Sequence, residues 1–130
     1  AAETGLLKGL GIDLVELDRF EAALERHGER FERRIFTPAE RAACSTRADR
    51  VQALAARFAA KEAALKALGT GWAAGVAFRQ IEVTRDEAGA PHLLLHAAAA
   101  QRAEQLGVRA AHVSLTHQPR VAAAVVVLEG

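Results

Sequence analysis

Short apolar runs alternate with amphipathic stretches along this chain, and the spacing within each predicts an element. Leu10 to Leu17 follows Gly9 and Gly11 with branched side chains in close succession, which predicts a strand. Asp18 then offers an N-cap with Glu21 three positions on, the capping-box spacing, so a helix is expected from about Arg19 to His27, ending near Gly28. Thr37-Pro38-Ala39-Glu40 repeats that grammar, with proline where a helix needs no amide donor, and predicts a second, short helix.

From about Arg50 the helical periodicity is strongest. Val51, Leu54, Phe58, Leu65 and Leu68 fall on one stripe, and Gly69 stands where a C-terminal cap belongs. Gly71 to Gly75 reads as a loop, and Val76 to Thr84 as a loosely alternating strand. Turn residues over Asp86 to Gly89 lead into a strand from Pro91 to His96, which predicts a hairpin. An alanine-rich helix over Ala97–Leu106 is stopped by Gly107, and strands over Ala111–His117 and Val121–Leu128 flank Gln118-Pro119. The expected fold is α+β, a mainly antiparallel sheet packed with a long central helix.

Composition narrows the classes without choosing among them. At 130 residues, 51% of them hydrophobic, the chain is expected to form one domain over 1–130 with a single core. A formal net charge of +1 argues against a wholesale nucleic-acid binder and confines any basic surface to a patch. Apolar runs such as Val121 to Leu128 fall far short of the roughly 20 residues that span a bilayer. The first ten residues do not read as a secretory signal. The single cysteine, Cys44, cannot form an internal disulfide and has no nearby histidine to act as its base, so a cytoplasmic protein with a structural thiol is expected.

Three places carry side chains that their elements do not ask for. Asp13 sits among Ile12, Leu14 and Val15 in a strand, where a carboxylate must be desolvated or paired, although an edge position would also accommodate it. Lys61 and Glu62 flank the apolar stripe of the central helix, and Lys66 follows Glu62 by one turn, a spacing that equally suits a surface ion pair. His112, Ser114 and Thr116 share one face of a strand, with Val113 and Leu115 on the other and His117 at its end, where it either reaches a ligand or caps the turn. Two carboxylates on separate elements suit magnesium, which takes few carboxylates and leaves positions for water and phosphate oxygens. Zinc-ligand spacing, a P-loop and a GxSxG elbow are all missing from the sequence.

Taken in order, Gly11-Ile12-Asp13-Leu14-Val15-Glu16 with Arg19, Arg57-Phe58-Ala59-Ala60-Lys61-Glu62-Ala63 with Lys66-Ala67, and His112-Val113-Ser114-Leu115-Thr116-His117 resemble holo-acyl-carrier-protein synthase, a 4'-phosphopantetheinyl transferase. The middle block is highly specific, and the three together span nearly the whole chain. The resemblance implies transfer of the phosphopantetheine arm of coenzyme A to a serine of apo acyl carrier protein, with release of adenosine 3',5'-bisphosphate, in the service of fatty acid biosynthesis or of polyketide synthesis. It implies Mg2+ on Asp13 and Glu62, catalytic roles for Glu62, Lys66 and His117, and coenzyme A contacts from Lys66, His117, Arg57, Gly89 and Pro91. Gln118 follows His117 where some relatives have aspartate, and no role is carried over to it.

The resemblance further implies that the acidic carrier docks on the first helix through Arg19 and Arg26, and that chains of this length form a homotrimer with coenzyme A lying between protomers. Charge alone would let Arg19, Arg26, Arg30, Arg33 and Arg34, interleaved with glutamates, be a solvated helix face. Two alternatives are a coenzyme A- or nucleotide-binding module without transfer activity and a magnesium-dependent phosphohydrolase.

Overall fold

The computed structural model describes residues 6–69 and 75–130 and is α+β. The order is β1 (Leu7–Glu16), α1 (Leu17–Ile35), α2 (Pro38–Cys44), α3 (Arg50–Leu68), β2 (Ile81–Arg85), β3 (Pro91–Leu95), α4 (Ala97–Leu106), β4 (Ala110–His117) and β5 (Val121–Glu129). β1, β5 and β4, in that spatial order, form one antiparallel sheet, and β2 and β3 form a separate antiparallel hairpin. The expected loop over Gly71 to Gly75 lies, up to Ala74, outside the described residues.

α3 lies directly on β1. A methyl group added to Gly11 would fall 1.8 Å from the Ala63 carbonyl oxygen, and one on Gly9 would fall 2.1 Å from that of Ala67. Only glycine fits there, because the obstacle is helix backbone rather than a side chain that can swing aside. The helix contributes small residues to match, with Ala55, Ala59, Ala60 and Ala63 fully buried, and β5 adds Ala122 and Ala124. Phe20 of α1 then bridges to α3, its ring 5.5 Å from that of Phe58 and 5.9 Å from that of Phe31.

Four expectations need correction. The first helix starts at Leu17 with Glu16 at its N-cap, so Asp18 lies in the first turn and caps nothing. That helix also continues beyond His27 to Ile35: Gly28, at φ 58° and ψ −141°, kinks it, and packing of Phe31 and Ile35 resumes it on the far side. The strand expected over Val76 to Thr84 is real only from Ile81, since Phe78–Gln80 form a single 3₁₀ turn. Finally, α3 is buried on almost every side instead of along one stripe, and Lys61, placed at the flank by periodicity, has no exposed surface at all.

α3 covers one face of the three-stranded sheet, and among the described residues nothing covers the other. Leu10, Ile12 and Leu14 are 63%, 64% and 68% exposed on that outer face. They align with Val127, Val125 and Ala123 of β5, and these with His112, Ser114 and Thr116 of β4. An apolar stripe of this extent on a small protein marks a surface that another molecule covers.

The tight helix–strand contact makes a stability prediction. Gly11→Ala should destabilise the protein by about 1–3 kcal/mol, because the added methyl forces α3 off the sheet. A lowered denaturant midpoint with an unchanged slope would show this, and a wild-type midpoint would mean that the helix does not rest on the strand as described.

Candidate active site

Gly9, Gly11, Asp13 and Val15 alternate toward α3, so the close approach at Gly11 brings the next inward residue of β1, Asp13, to the helix. There Lys66 donates to Asp13 Oδ1 at 3.1 Å and to the Ile12 carbonyl at 2.9 Å. Glu62, one turn before Lys66, opens with Asp13 onto a single cleft of about 470 Å³ between β1, α1 and α3. Arg19, Phe20, Phe31 and Phe58 complete much of its wall. Asp13, Glu62 and Lys66, separate anomalies in the sequence, are therefore brought together, whereas Lys61 is not part of this cleft.

The electrostatics of that cleft favour a cation. Burial pushes the Glu62 carboxyl above the usual carboxylate range, the neighbouring Asp13 charge pushes it further, and only Lys66 pulls it back. Among the described residues no group of three or more His, Cys, Asp or Glu is gathered that would hold a metal by itself. Two repelling carboxylates in an open cleft fit magnesium, which draws its other ligands from water and phosphate.

The remaining candidates lie elsewhere in the chain. His117 ends β4, separated from β1 by β5, and its Nε2 is 3.8 Å from the Asp49 carboxylate at the N-cap of α3. It opens onto a different cleft, of about 300 Å³, with Gln52, Gln118 and Pro119. Gly89 takes a positive φ of 88° in the β2–β3 turn, and its carbonyl accepts from Arg85 at 2.7 Å. Pro91 opens β3 opposite Arg85. Thus one chain unites Asp13, Glu62, Lys66 and Arg19, while His117, Gly89 and Pro91 stand apart from them.

Arg57 is only 3% exposed, yet among the described residues its one hydrogen bond runs from Nη1 to the Ala53 carbonyl at 3.3 Å, and its Nε has no partner. Among the described residues no carboxylate pairs with it. Its charge also acts on another cation: burial lowers the Arg85 pKa, and the charges of Arg57 and Arg47 lower it further. The buried Cys44 thiol adjoins the same group, raised by burial against the opposing pull of Arg57 and Arg47. Uncompensated buried guanidinium is costly, and an anion supplied from outside would relieve it.

Arg47 and Arg85 were not singled out from the sequence. Arg85 had a legible signal, because alternation puts it on the same side of β2 as the buried Ile81 and Val83, although it is exposed at the strand end; Arg47 sits in an irregular turn and had none. On α1, Arg19 reaches the acidic cleft, whereas Arg26 lines a neighbouring groove of about 680 Å³ with His27, Arg30, Phe31 and Arg34 around the Gly28 kink.

Residues 9–125 match the family model of the 4'-phosphopantetheinyl transferase superfamily. A relative from Solidesulfovibrio magneticus named holo-[acyl-carrier-protein] synthase is 58% identical over 125 residues, spanning 96% of this chain and 100% of its own length. The crystal structure of holo-[acyl-carrier-protein] synthase from Neisseria meningitidis superposes with a TM-score of 0.89 at 34% identity, over 96% of this chain and 100% of that one. A structure from Bacillus anthracis, described as a complex with CoA (3',5'-ADP), gives 0.78 at 36% identity over 95% and 97% of the two chains. The chain therefore belongs to the 4'-phosphopantetheinyl transferase superfamily and, within it, to the holo-[acyl-carrier-protein] synthases.

Proposed function

We propose that this protein transfers the 4'-phosphopantetheine arm of coenzyme A to a serine hydroxyl of apo acyl carrier protein in a magnesium-dependent reaction. The observation that carries this reading is the convergence of Asp13, Glu62 and Lys66 on one cleft. The serine oxygen bonds to the β-phosphorus, the bond from that phosphorus to the bridging oxygen breaks, and adenosine 3',5'-bisphosphate leaves with that oxygen. The serine proton passes to a base or to solvent.

Asp13 and Glu62 would hold Mg2+, which supplies Lewis-acid charge to a diphosphate. Lys66, more than half exposed and anchored through Asp13, presents an ammonium to phosphate oxygens at the cleft mouth. Arg57, with Arg47 and Arg85 beside it, suits the anionic end of coenzyme A, and the Gly89–Pro91 turn adjoins that group through Arg85. Arg19 and Arg26 on α1 suit an acidic carrier protein docked next to the cleft.

A homotrimer joins the separated pieces. The uncovered face with Leu10, Ile12 and Leu14 offers another copy an apolar interface. Coenzyme A lying between protomers would then meet the acidic cleft of one copy and His117, Arg57 and the hairpin turn of the next. Among the described residues no helix is long and apolar enough to cross a membrane. With its lone thiol Cys44 buried, a reducing cytoplasm and a role in fatty acid biosynthesis complete the reading.

The decisive experiment incubates the protein with coenzyme A and Mg2+, with and without apo acyl carrier protein, and reads intact masses. A carrier that gains one phosphopantetheine group supports transfer, whereas carrier-independent cleavage of coenzyme A would indicate a phosphohydrolase and binding alone a silent module. Asp13→Asn and Glu62→Gln should each lower transfer on the order of a hundredfold or more with the fold intact, since each removes ligand charge at nearly constant volume. Full activity in either variant would refute the metal assignment.

The raised Glu62 pKa gives the pH dependence its sign. The folded state holds this proton more tightly than the unfolded chain, so ionised Glu62 costs stability above its ordinary pKa and the cost vanishes on acidification. Metal binding needs the ionised form. Affinity for Mg2+ should therefore fall with decreasing pH at a higher pH than an ordinary glutamate would give, and Asp13→Asn should shift the Glu62 titration downward, readable from its carboxyl carbon by NMR. An unshifted titration would exclude Asp13 as a close neighbour of Glu62. Leu10→Lys on the outer sheet face should convert the trimer to monomers in sedimentation and abolish transfer together with it; a trimeric variant would place the interface elsewhere.

A further inference from the structure

Lys61 is the charge of the α3 motif that neither the acidic cleft nor the cationic group uses. Its ammonium donates to Glu40 Oε1 at 2.7 Å, to the Phe78 carbonyl at 3.1 Å and to the Ile81 carbonyl, and it lies 5.6 Å from the centroid of the Phe36 ring. Glu40 is equally occupied: Oε1 also accepts from the Thr37 amide at 2.9 Å, and Oε2 accepts from the Val83 amide at 2.8 Å. Both side chains are wholly buried.

A buried ion pair adds little net stability, because desolvation offsets the attraction, yet its hydrogen bonds dictate geometry. Here they lock residue 61 of α3 to the carbonyls of residues 78 and 81 and, through Glu40, to the amide of residue 83. The hairpin needs such an anchor, since two strands alone are marginal in water. Arg57 stands one turn before Lys61 on the same helix face, and Arg85 follows Val83 on the same side of β2, exposed where the strand ends. The lock thereby fixes the helix that carries Arg57 against the strand that carries Arg85.

We propose that Lys61 is a positioning residue: paired with Glu40, it sets Arg57 of α3 against Arg85 of β2 and so controls how tightly the site grips the anionic end of coenzyme A. The inference rests on the coenzyme A reading above, and the test separates the two. Adenosine 3',5'-bisphosphate is titrated calorimetrically into the wild-type protein and into the double variant Lys61→Met/Glu40→Gln, which removes both buried charges at similar volume. Far-UV circular dichroism and a thermal melt establish that the variant is folded.

The expected result is a folded variant whose Kd for the bisphosphate rises on the order of tenfold or more, in line with the sensitivity of such sites to small misplacements. KM for coenzyme A should rise in step, with KM for the carrier and kcat at saturating coenzyme A unchanged. A variant that is less stable but whose folded fraction keeps the wild-type Kd would overturn the proposal, because a merely structural residue changes the amount of active protein and not its affinity. Should the double variant not fold, Glu40→Gln alone, which keeps a polar partner for Lys61, carries the same two outcomes. A wild-type protein that does not bind the bisphosphate would overturn the coenzyme A reading itself, and this inference with it.

Discussion

Asp13 meets Lys66, and shares a cleft with Glu62, because at Gly9 and Gly11 no side chain separates the backbone of α3 from that of β1. Aspartate has a short reach, and a helix held off the sheet by even one methyl layer would carry its charges out of range. The two glycines accept a cost in conformational freedom to make the contact possible. The alanines of α3 extend the principle along the helix, replacing bulky packing with closeness, so that a small core still encloses a 19-residue helix on most sides.

That closeness leaves large aromatic groups to fill the other side of α3. Phe20, Phe31, Phe36, Phe58 and Phe78 link α1, its C-cap and the 3₁₀ turn to the helix, and three of these rings also wall the acidic cleft. The surface of α1 and the interior of the cleft are thus two sides of one cluster. Glu32, almost buried and paired with Arg50 and Arg41, pins the segment of α1 beyond the Gly28 kink to α2 and α3. Both halves of the helix are therefore held independently, and the basic groove between them is a consequence of the bend.

Much of this was legible residue by residue where local chemistry decides structure. Gly69 and Gly107 end their helices in the left-handed conformation, and Thr37 and Glu40 form the reciprocal cap that their spacing announced. What local pattern could not supply was anything set by contact between distant elements. Leu17 enters the helix at once because its amide bonds to Arg120 across the sheet end, which no N-terminal signal around Asp18 could reveal. Gly28 looked like a terminus, yet Phe31 and Ile35 find core beyond it. The charges of the site were visible as anomalies, but their convergence depends on glycine contacts between residues some 50 positions apart in the chain, which periodicity does not encode.

The buried cations of α3 show how such anomalies divide between fold and ligand. Lys61 and Arg57 occupy the same face one turn apart, and both are withdrawn from water. Lys61 has every donor matched within the chain, so nothing added from outside could improve its situation. Arg57 has an idle Nε and cationic neighbours, so a bound anion would satisfy it while offsetting their mutual repulsion. The acidic cleft has the opposite need, with Asp13 and Glu62 repelling each other and Lys66 offsetting part of that repulsion. A ligand bearing phosphates, accompanied by a divalent cation, answers both imbalances at once, and neither imbalance would persist in a protein that had to be stable only for its own sake.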